Sequence, residues 1–344
     1  MNVTPFVVGV DIAKRVFQVH EVNGATGEIH RLQLKRPQFL EYFANHVRCV
    51  VGMEACGGAH HWARQLVAMG HAVKLLPPHK VRPFAVGNKN DVADAQAIWT
   101  ATQQPGMRTV AIKTESQQAV LALHRVREQC VKWRTAQINA LRGLLNEFGE
   151  VMPTGRLSAM KAIPDVLGRL QERLPSALID TLREQYQRLG DLDGEVRVIE
   201  QRLKQYYDIE PECARIGAMP GIGLLTATAI VATMGDPMAF RSGRAFAAWL
   251  GLVPRQVGTG GKVKLLGISK RGDTYLRALL IQGARAVLIR TKTPSTWLTQ
   301  LRQRRPSNVV AVALANKMAR TLWALMAHQR TYQKDYANPP PAGA

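Results

Sequence analysis

Hydrophobic and polar positions follow two different periods along this chain, and the change falls near residue 115. Residues 6–11 (FVVGVD) form a short apolar run rich in β-branched residues, which predicts a buried strand ending in an acid. Residues 16–22 (VFQVHEV) alternate up to Asn23-Gly24, and residues 28–34 alternate again after Thr26-Gly27, so the first three strands read as an antiparallel meander. A helix is expected over 37–45, a second buried strand over 49–54, and a helix from Gly57-Gly58 through Met69. A last strand over 72–76 ends at Pro77-Pro78. A polar Asn88-Lys89-Asn90 run then precedes Asp91-Val92-Ala93-Asp94-Ala95, which places a helix start close to Asp91. The order β-β-β-α-β-α-β-α is that of a mixed α/β sheet with helices packed on it.

From Glu115 the period becomes helical. Leu189, Leu192, Val196, Ile199, Leu203 and Tyr206 step by 3, 4, 3, 4 and 3, close to a coiled-coil seam. Such a seam serves either a second copy or an RNA, or an antiparallel hairpin within the chain. Pro153 and Pro164 are expected to break the segment into at least two helices. Met219-Pro220-Gly221-Ile222-Gly223 separates two helical stretches in the manner of a helix-hairpin-helix, with Gly221 and Gly223 able to approach a phosphate. A short helix over 246–252 follows. Residues 253–273 (VPRQVGTGGKVKLLGISKRGD) read as a glycine-rich basic loop with two hydroxyls, Thr259 and Ser269. It is not a nucleotide-binding P-loop, because Gln256 stands at the first required glycine and Val263 replaces the Ser/Thr. Apolar helices are expected over 275–332, interrupted by a loop over 302–306, and the tail with Pro339-Pro340-Pro341 reads as disordered. These shifts divide the chain into 1–114, 115–210, 211–334 and a tail, 335–344.

Charge changes the picture. The 344 residues carry 46 Lys/Arg against 25 Asp/Glu, a formal net charge of +21, which points to a polyanionic partner. The excess is local: residues 239–334 hold 18 Lys/Arg and a single acid, Asp273, whereas 115–210 hold 14 of each sign. The C-terminal region is therefore the expected nucleic-acid face, with Arg255, Lys262, Lys264, Lys270 and Arg271 in its loop as candidate phosphate contacts. Four dispersed cysteines without a CxxC pair argue against a disulfide framework or zinc knuckle. No leader pattern opens the chain, and Lys317 and Arg320 interrupt its most apolar stretch, so a cytoplasmic protein without a membrane span is expected.

Only seven acids occur in the first 114 residues, and four of them fall where ligands of open α/β sheets gather. Asp11 and Glu54 end two strands; Asp91 and Asp94 share one face of a helix start. Four converging carboxylates repel one another unless cations neutralise them. Hard oxygen donors of this kind suit Mg²⁺ or Mn²⁺, and two such ions promote phosphodiester chemistry. A hydroxyl in the basic loop is a potential nucleophile. Two rival classes are open: a structure-specific, Mg²⁺-dependent endonuclease on branched DNA, which needs the acids alone, and a non-enzymatic nucleic-acid scaffold, which needs neither.

GVDIAK, MEACG, NKNDVADA, MPGIG, AAWLGLVPRQ and GISKRGDTYLR together resemble the insertion-sequence 110 family of DEDD transposases, and GGK…GISKRGD its 1111 branch. The resemblance implies a RuvC/ribonuclease-H-like domain, a coiled coil and a mostly helical transposase domain. It implies a recombinase guided by a bridge RNA that pairs with donor and target double-stranded DNA, working as dimers that assemble into a tetramer, in a nucleoid-associated setting. Asp11, Glu54, Asp91 and Asp94 would be its metal-binding acids. The family's serine nucleophile, in the loop after GLxPR, falls by count on Thr259 here, a departure whose extra methyl crowds an in-line attack; Ser269 is the fallback.

Overall fold

The structure, a computed structural model, describes residues 6–86 and 90–334. Its first elements are β1 (Val7–Ile12), β2 (Val16–Val22), β3 (Ile29–Lys35), α1 (Arg36–Ala44), β4 (Val50–Glu54), α2 (Ala59–Ala68), β5 (Ala72–Leu76), the one-turn α3 (Pro78–Val81) and α4 (Asp91–Gln103). The sheet has the order β3-β2-β1-β4-β5. β1, β2 and β3 pair antiparallel, as the alternating pattern predicts, and β1-β4 and β4-β5 pair parallel. Val8, Val10, Phe17, Val19, Val51, Met53 and Leu75 pack one face of the sheet against Phe39, Phe43, Trp62 and Leu66 of α1 and α2. The opposite face holds α4. Two glycines let α4 approach: a Cβ on Gly9 would lie 2.5 Å from the Ala95 oxygen, and one on Gly52 would overlap Thr102 Oγ1.

Beyond α4 come α5 (Glu115–Glu147), α6 (Arg156–Leu170), α7 (Ser176–Ile209), α8 (Pro211–Gly217), α9 (Leu224–Met234) and α10 (Gly243–Trp249). Then follow the strands β6 (Pro254–Thr259) and β7 (Lys262–Ile268), and the helices α11 (Thr274–Arg290), α12 (Thr296–Arg304) and α13 (Ser307–Ala327). Two compact units result: one runs to Gln117 and includes Met234–Arg241, the other comprises Gln118–Thr233 and the chain from Ser242. Asn88, Lys89 and the tail 335–344 lie outside the described residues.

Three expectations are corrected, and a fourth, left open between two readings, is decided. The seam on α7 is buried within the chain: Leu192, Val196, Ile199 and Leu203 cluster with Val120 and Cys130 of α5 and Ala232 of α9. Arg127–Glu200 and Arg134–Asp193 ion pairs show α5 and α7 running antiparallel. The hairpin alternative accounts for the pattern. Pro153 does lie between two helices, but Pro164 sits inside α6 without ending it. The lost hydrogen bond costs about 3 kcal/mol, and burial of Ile163, Val166, Leu167 and Leu170 on the same helix offsets it. Arg302 to Arg304 belong to α12 rather than to a loop. Most consequentially, residues 254–268 form an antiparallel β-hairpin in place of a glycine-rich loop.

α13 is long and apolar enough to cross a membrane by composition. Here one side of it, including Val310, Ala315, Met318 and Leu322, is buried, while Lys317 and Arg320 stand exposed on the other.

Candidate functional site

In the first unit the sheet brings two of the four expected acids side by side. β1 and β4 run in parallel register up to Val10 opposite Met53, so Asp11 and Glu54 are the next residues on neighbouring strands, about 4.8 Å apart across the ladder. Strand alternation puts both on the face shared with Gly9 and Gly52, beneath α4. Both acids act on Cys56, whose thiol is raised by burial first, then by Glu54 and Asp11.

α4 begins where the polar run predicts. Asn90 is its N-cap, its side-chain oxygen accepting from the Ala93 amide at 2.8 Å; Asp91 and Asp94 occupy the first turn. Ile98 and Ala101, on the same helical stripe as Asp91 and Asp94, pack with Leu76 and Val81. Leu76 pairs with Glu54 across β4 and β5. The Ile98 and Ala101 end of the stripe thus lies beside the strand partner of Glu54, while Asp94 is half-buried and Asp91 exposed. Among the described residues no group of three or more His, Cys, Asp or Glu is close enough to hold a metal ion. The donor chemistry suits a hard divalent cation, but this arrangement does not gather it.

In the second unit, Thr259 ends β6 and pairs with Lys262 at the start of β7. The turn between them is Gly260-Gly261, with φ of 55° and 79°, the two positive values that a twist-matched two-residue hairpin demands. Thr259 thus stands exposed at the tip, opposite a lysine. Val257 pairs with Lys264 two residues down, so two lysines and the hydroxyl share a face. Every residue of β6, Val257 included, is exposed, as are most of β7, including Val263 and Leu265.

Ser269 lies at the base, its amide donating to the Val253 carbonyl at 2.8 Å and its Oγ buried without a partner. Next comes a tightly locked turn. Lys270 adopts φ 55°, a left-handed conformation that costs a side-chain-bearing residue about 1–2 kcal/mol. A Cβ on Gly251 would overlap the Arg271 oxygen, and one on Gly272 the Trp249 oxygen. Arg277, buried on α11, donates to the carbonyls of Leu250 at 2.9 Å and Arg271 at 2.8 Å and to Thr274 Oγ1. Lys270 and Arg271 are exposed on this braced turn. Arg277 went unrecognised in sequence; a lone arginine within the apolar TYLRALL run is the signal that singles it out.

Gly221 is corrected. With φ 86° it abuts α11 and α13: a Cβ would lie 2.7 Å from the Gly283 oxygen and 2.9 Å from Met318 Cε. Close helix packing explains this glycine. Gly223 is exposed at the start of α9, where the first amides lack intrahelical partners.

Residues 8–150 match the IS110-type DEDD transposase profile, described as Transposase. Residues 213–298 match the Transposase IS116/IS110/IS902 family. The chain is 43% identical over 332 residues to the "Transposase for insertion sequence element IS1111A" of Coxiella burnetii, covering 95% of this chain and 91% of the relative. The chain belongs to the IS110 family of transposases. It is also 47% identical to the "Probable family 20 transposase" of Pseudomonas aeruginosa, covering 95% and 98% of the two chains. With the "Transposase for insertion sequence element IS1328" of Yersinia enterocolitica it shares 41% identity over 97% and 99%. The enzyme is thus a DNA transposase of DEDD type. The DEDD profile spans β1, β4 and α4, and the second profile spans the hairpin and the Lys270–Arg271 turn.

Proposed function

We propose that this transposase excises and inserts its own mobile element by strand cleavage through a covalent hydroxyl–DNA intermediate, followed by strand exchange. The observation that carries this reading is the placement of Thr259: an exposed hydroxyl at the tip of a cationic hairpin, directly across from Lys262. Its Oγ attacks a backbone phosphorus, forming a P–O bond as the bond to the departing DNA oxygen breaks. The threonine proton passes to a base or water, and the leaving oxygen takes up a proton. Reversal by a different strand's hydroxyl transfers the phosphate and frees Thr259. Lys262 and Lys264 neutralise the phosphate, and Arg255, Lys270, Arg271 and the amides beside Gly223 hold flanking backbone. Ser269, with a buried Oγ at the base of the hairpin, is the less favoured nucleophile.

Asp11, Glu54, Asp91 and Asp94 are the residues we assign to Mg²⁺, with Mn²⁺ as substitute. Metal there would supply Lewis-acid stabilisation of phosphate oxygens. Guidance by a bridge RNA, pairing with donor and target DNA, and assembly of dimers into a tetramer follow from the family likeness. The N-terminal unit is read as RuvC-like and the antiparallel α5–α7 pair as the family's coiled coil; α8 and α9 stand for its helix-hairpin-helix.

The test substitutes each hydroxyl separately in a strand-exchange assay with the native element ends. Thr259→Ala should abolish exchange and the protein–DNA adduct, Thr259→Ser should keep both, and Ser269→Ala should leave the adduct in place. Exchange surviving Thr259→Ala would defeat the assignment. For guidance, RNA copurifying with the enzyme expressed beside its native flanks should be one discrete species mapping next to the gene; random cellular RNA alone would count against it.

A further inference from the structure

A second feature of the C-terminal unit is a groove of about 1840 Å³ between the base of the hairpin, α12, α13 and the chain that follows α13. That volume exceeds the range of about 300–1,000 Å³ typical of small-molecule sites, so a polymer segment is the fitting occupant. α13 supplies the floor with the side it turns away from the core. Val309, Val312 and Ala313 make an apolar start, and Asn316, Lys317 and Arg320 continue it as a polar, cationic stripe.

Charge and ring chemistry narrow the occupant. Arg244, Lys317, Arg320 and Arg330 line the groove, and among the described residues no Asp or Glu does. Aromatic rings line it as well: Trp297, Trp323 and Tyr332, beside the His328 imidazole. Trp297 is 38% exposed, and the Lys317 ammonium sits 4.7 Å from its ring centroid. Duplex DNA keeps its bases stacked inside and offers nothing to exposed rings, whereas an unpaired strand offers base faces and phosphates together. A cation beside an accessible indole meets both demands.

We propose that this groove binds an unpaired DNA strand, the kind of segment that strand cleavage and exchange must expose, with a base stacking on Trp297 and backbone phosphates on Lys317 and Arg320. The proposal rests on the enzyme's action on DNA and is independent of which hydroxyl attacks.

The test measures fluorescence anisotropy of the full-length protein with a labelled twelve-nucleotide oligo-dT, the matching twelve-base-pair duplex and a twelve-nucleotide oligo-rU. Trp297→Ala should weaken oligo-dT binding about tenfold or more while leaving duplex affinity within about twofold, and Trp297→Phe should recover most of the loss. Lys317→Gln should lower the slope of log K against log salt for oligo-dT by about 0.7. Unchanged oligo-dT affinity in Trp297→Ala would overturn the proposal. So would an equal loss of duplex binding, or tighter binding of oligo-rU than of oligo-dT, which would give the groove to RNA.

Discussion

Lys270 is a lysine held where glycine is at home. Its φ of 55° persists because Gly251, Gly272 and the Arg277 guanidinium fix the backbone on both sides. Non-glycine residues in this conformation cluster where a side chain is needed at a specific place, and the exposed ammonium here faces solvent beside Arg271. Lys270→Gly should relieve about 1–2 kcal/mol of strain, less about 0.4–1 kcal/mol of added unfolded-state freedom, so stability rises slightly. DNA affinity should fall in the same variant, since a phosphate contact is lost. Chemical denaturation and duplex binding measured together check this; loss of stability without loss of affinity would make the lysine a packing residue. Arg277 shows the complementary case, a buried cation whose role lies in the carbonyls it satisfies.

At the scale of elements, three helices meet at one imidazole. His124 of α5 is buried; its Nδ1 lies 2.9 Å from Tyr275 Oη on α11 and its Nε2 3.0 Å from Thr228 Oγ1 on α9. Thr228 donates its own proton to the Leu224 carbonyl, so Thr228 accepts from Nε2–H and Tyr275 donates to Nδ1. The ring is therefore held neutral. Burial, helped by the Arg127 guanidinium, lowers its pKa to about 4, against 6.5 unfolded. Between those values the unfolded chain binds more protons, so this stabilisation is complete above pH 6.5 and drains away as pH falls toward 4. It amounts to at most about 3 kcal/mol. Thermal melts from pH 7.5 to 4.5 should show a decline that His124→Gln flattens; an unchanged decline would place its origin elsewhere.

The elements also show what was legible in the amino-acid pattern. β1 to β5 and α4 could be read because each packs at least one side against a core, which imposes a period on its residues. The β6–β7 hairpin could not be read that way. It is exposed on both faces, so VGTGGKVKLLG carries no alternation, and only the Gly-Gly pair between Thr259 and Lys262 signals its turn. Isolated hairpins are marginal in water, consistent with one shaped for contact with a ligand. Asp11 and Glu54 were visible as strand-ending acids. The rows they share with Gly9 and Gly52 emerge only from the parallel register, which a linear sequence does not display.

Over the whole molecule, charge and seam divide the labour. Of the 18 cations against one acid in 239–334, all but Arg241 belong to the unit that holds the hairpin and the groove, while the balanced helices 115–210 make ion pairs such as Arg127–Glu200 within the chain. A heptad pattern is often a sign of a second copy, yet Leu203 is fully buried against the α5 side of the same molecule. Leu203→Ala should therefore cost about 2–5 kcal/mol of folding stability, as large-to-small changes in a packed core do. The loss should be the same at every protein concentration, because a seam closed within one chain has no association equilibrium to shift. A melting temperature that depends on concentration in the wild type and loses that dependence in Leu203→Ala would instead place the seam between copies. Without that dependence, any dimer must be held by surfaces other than this seam.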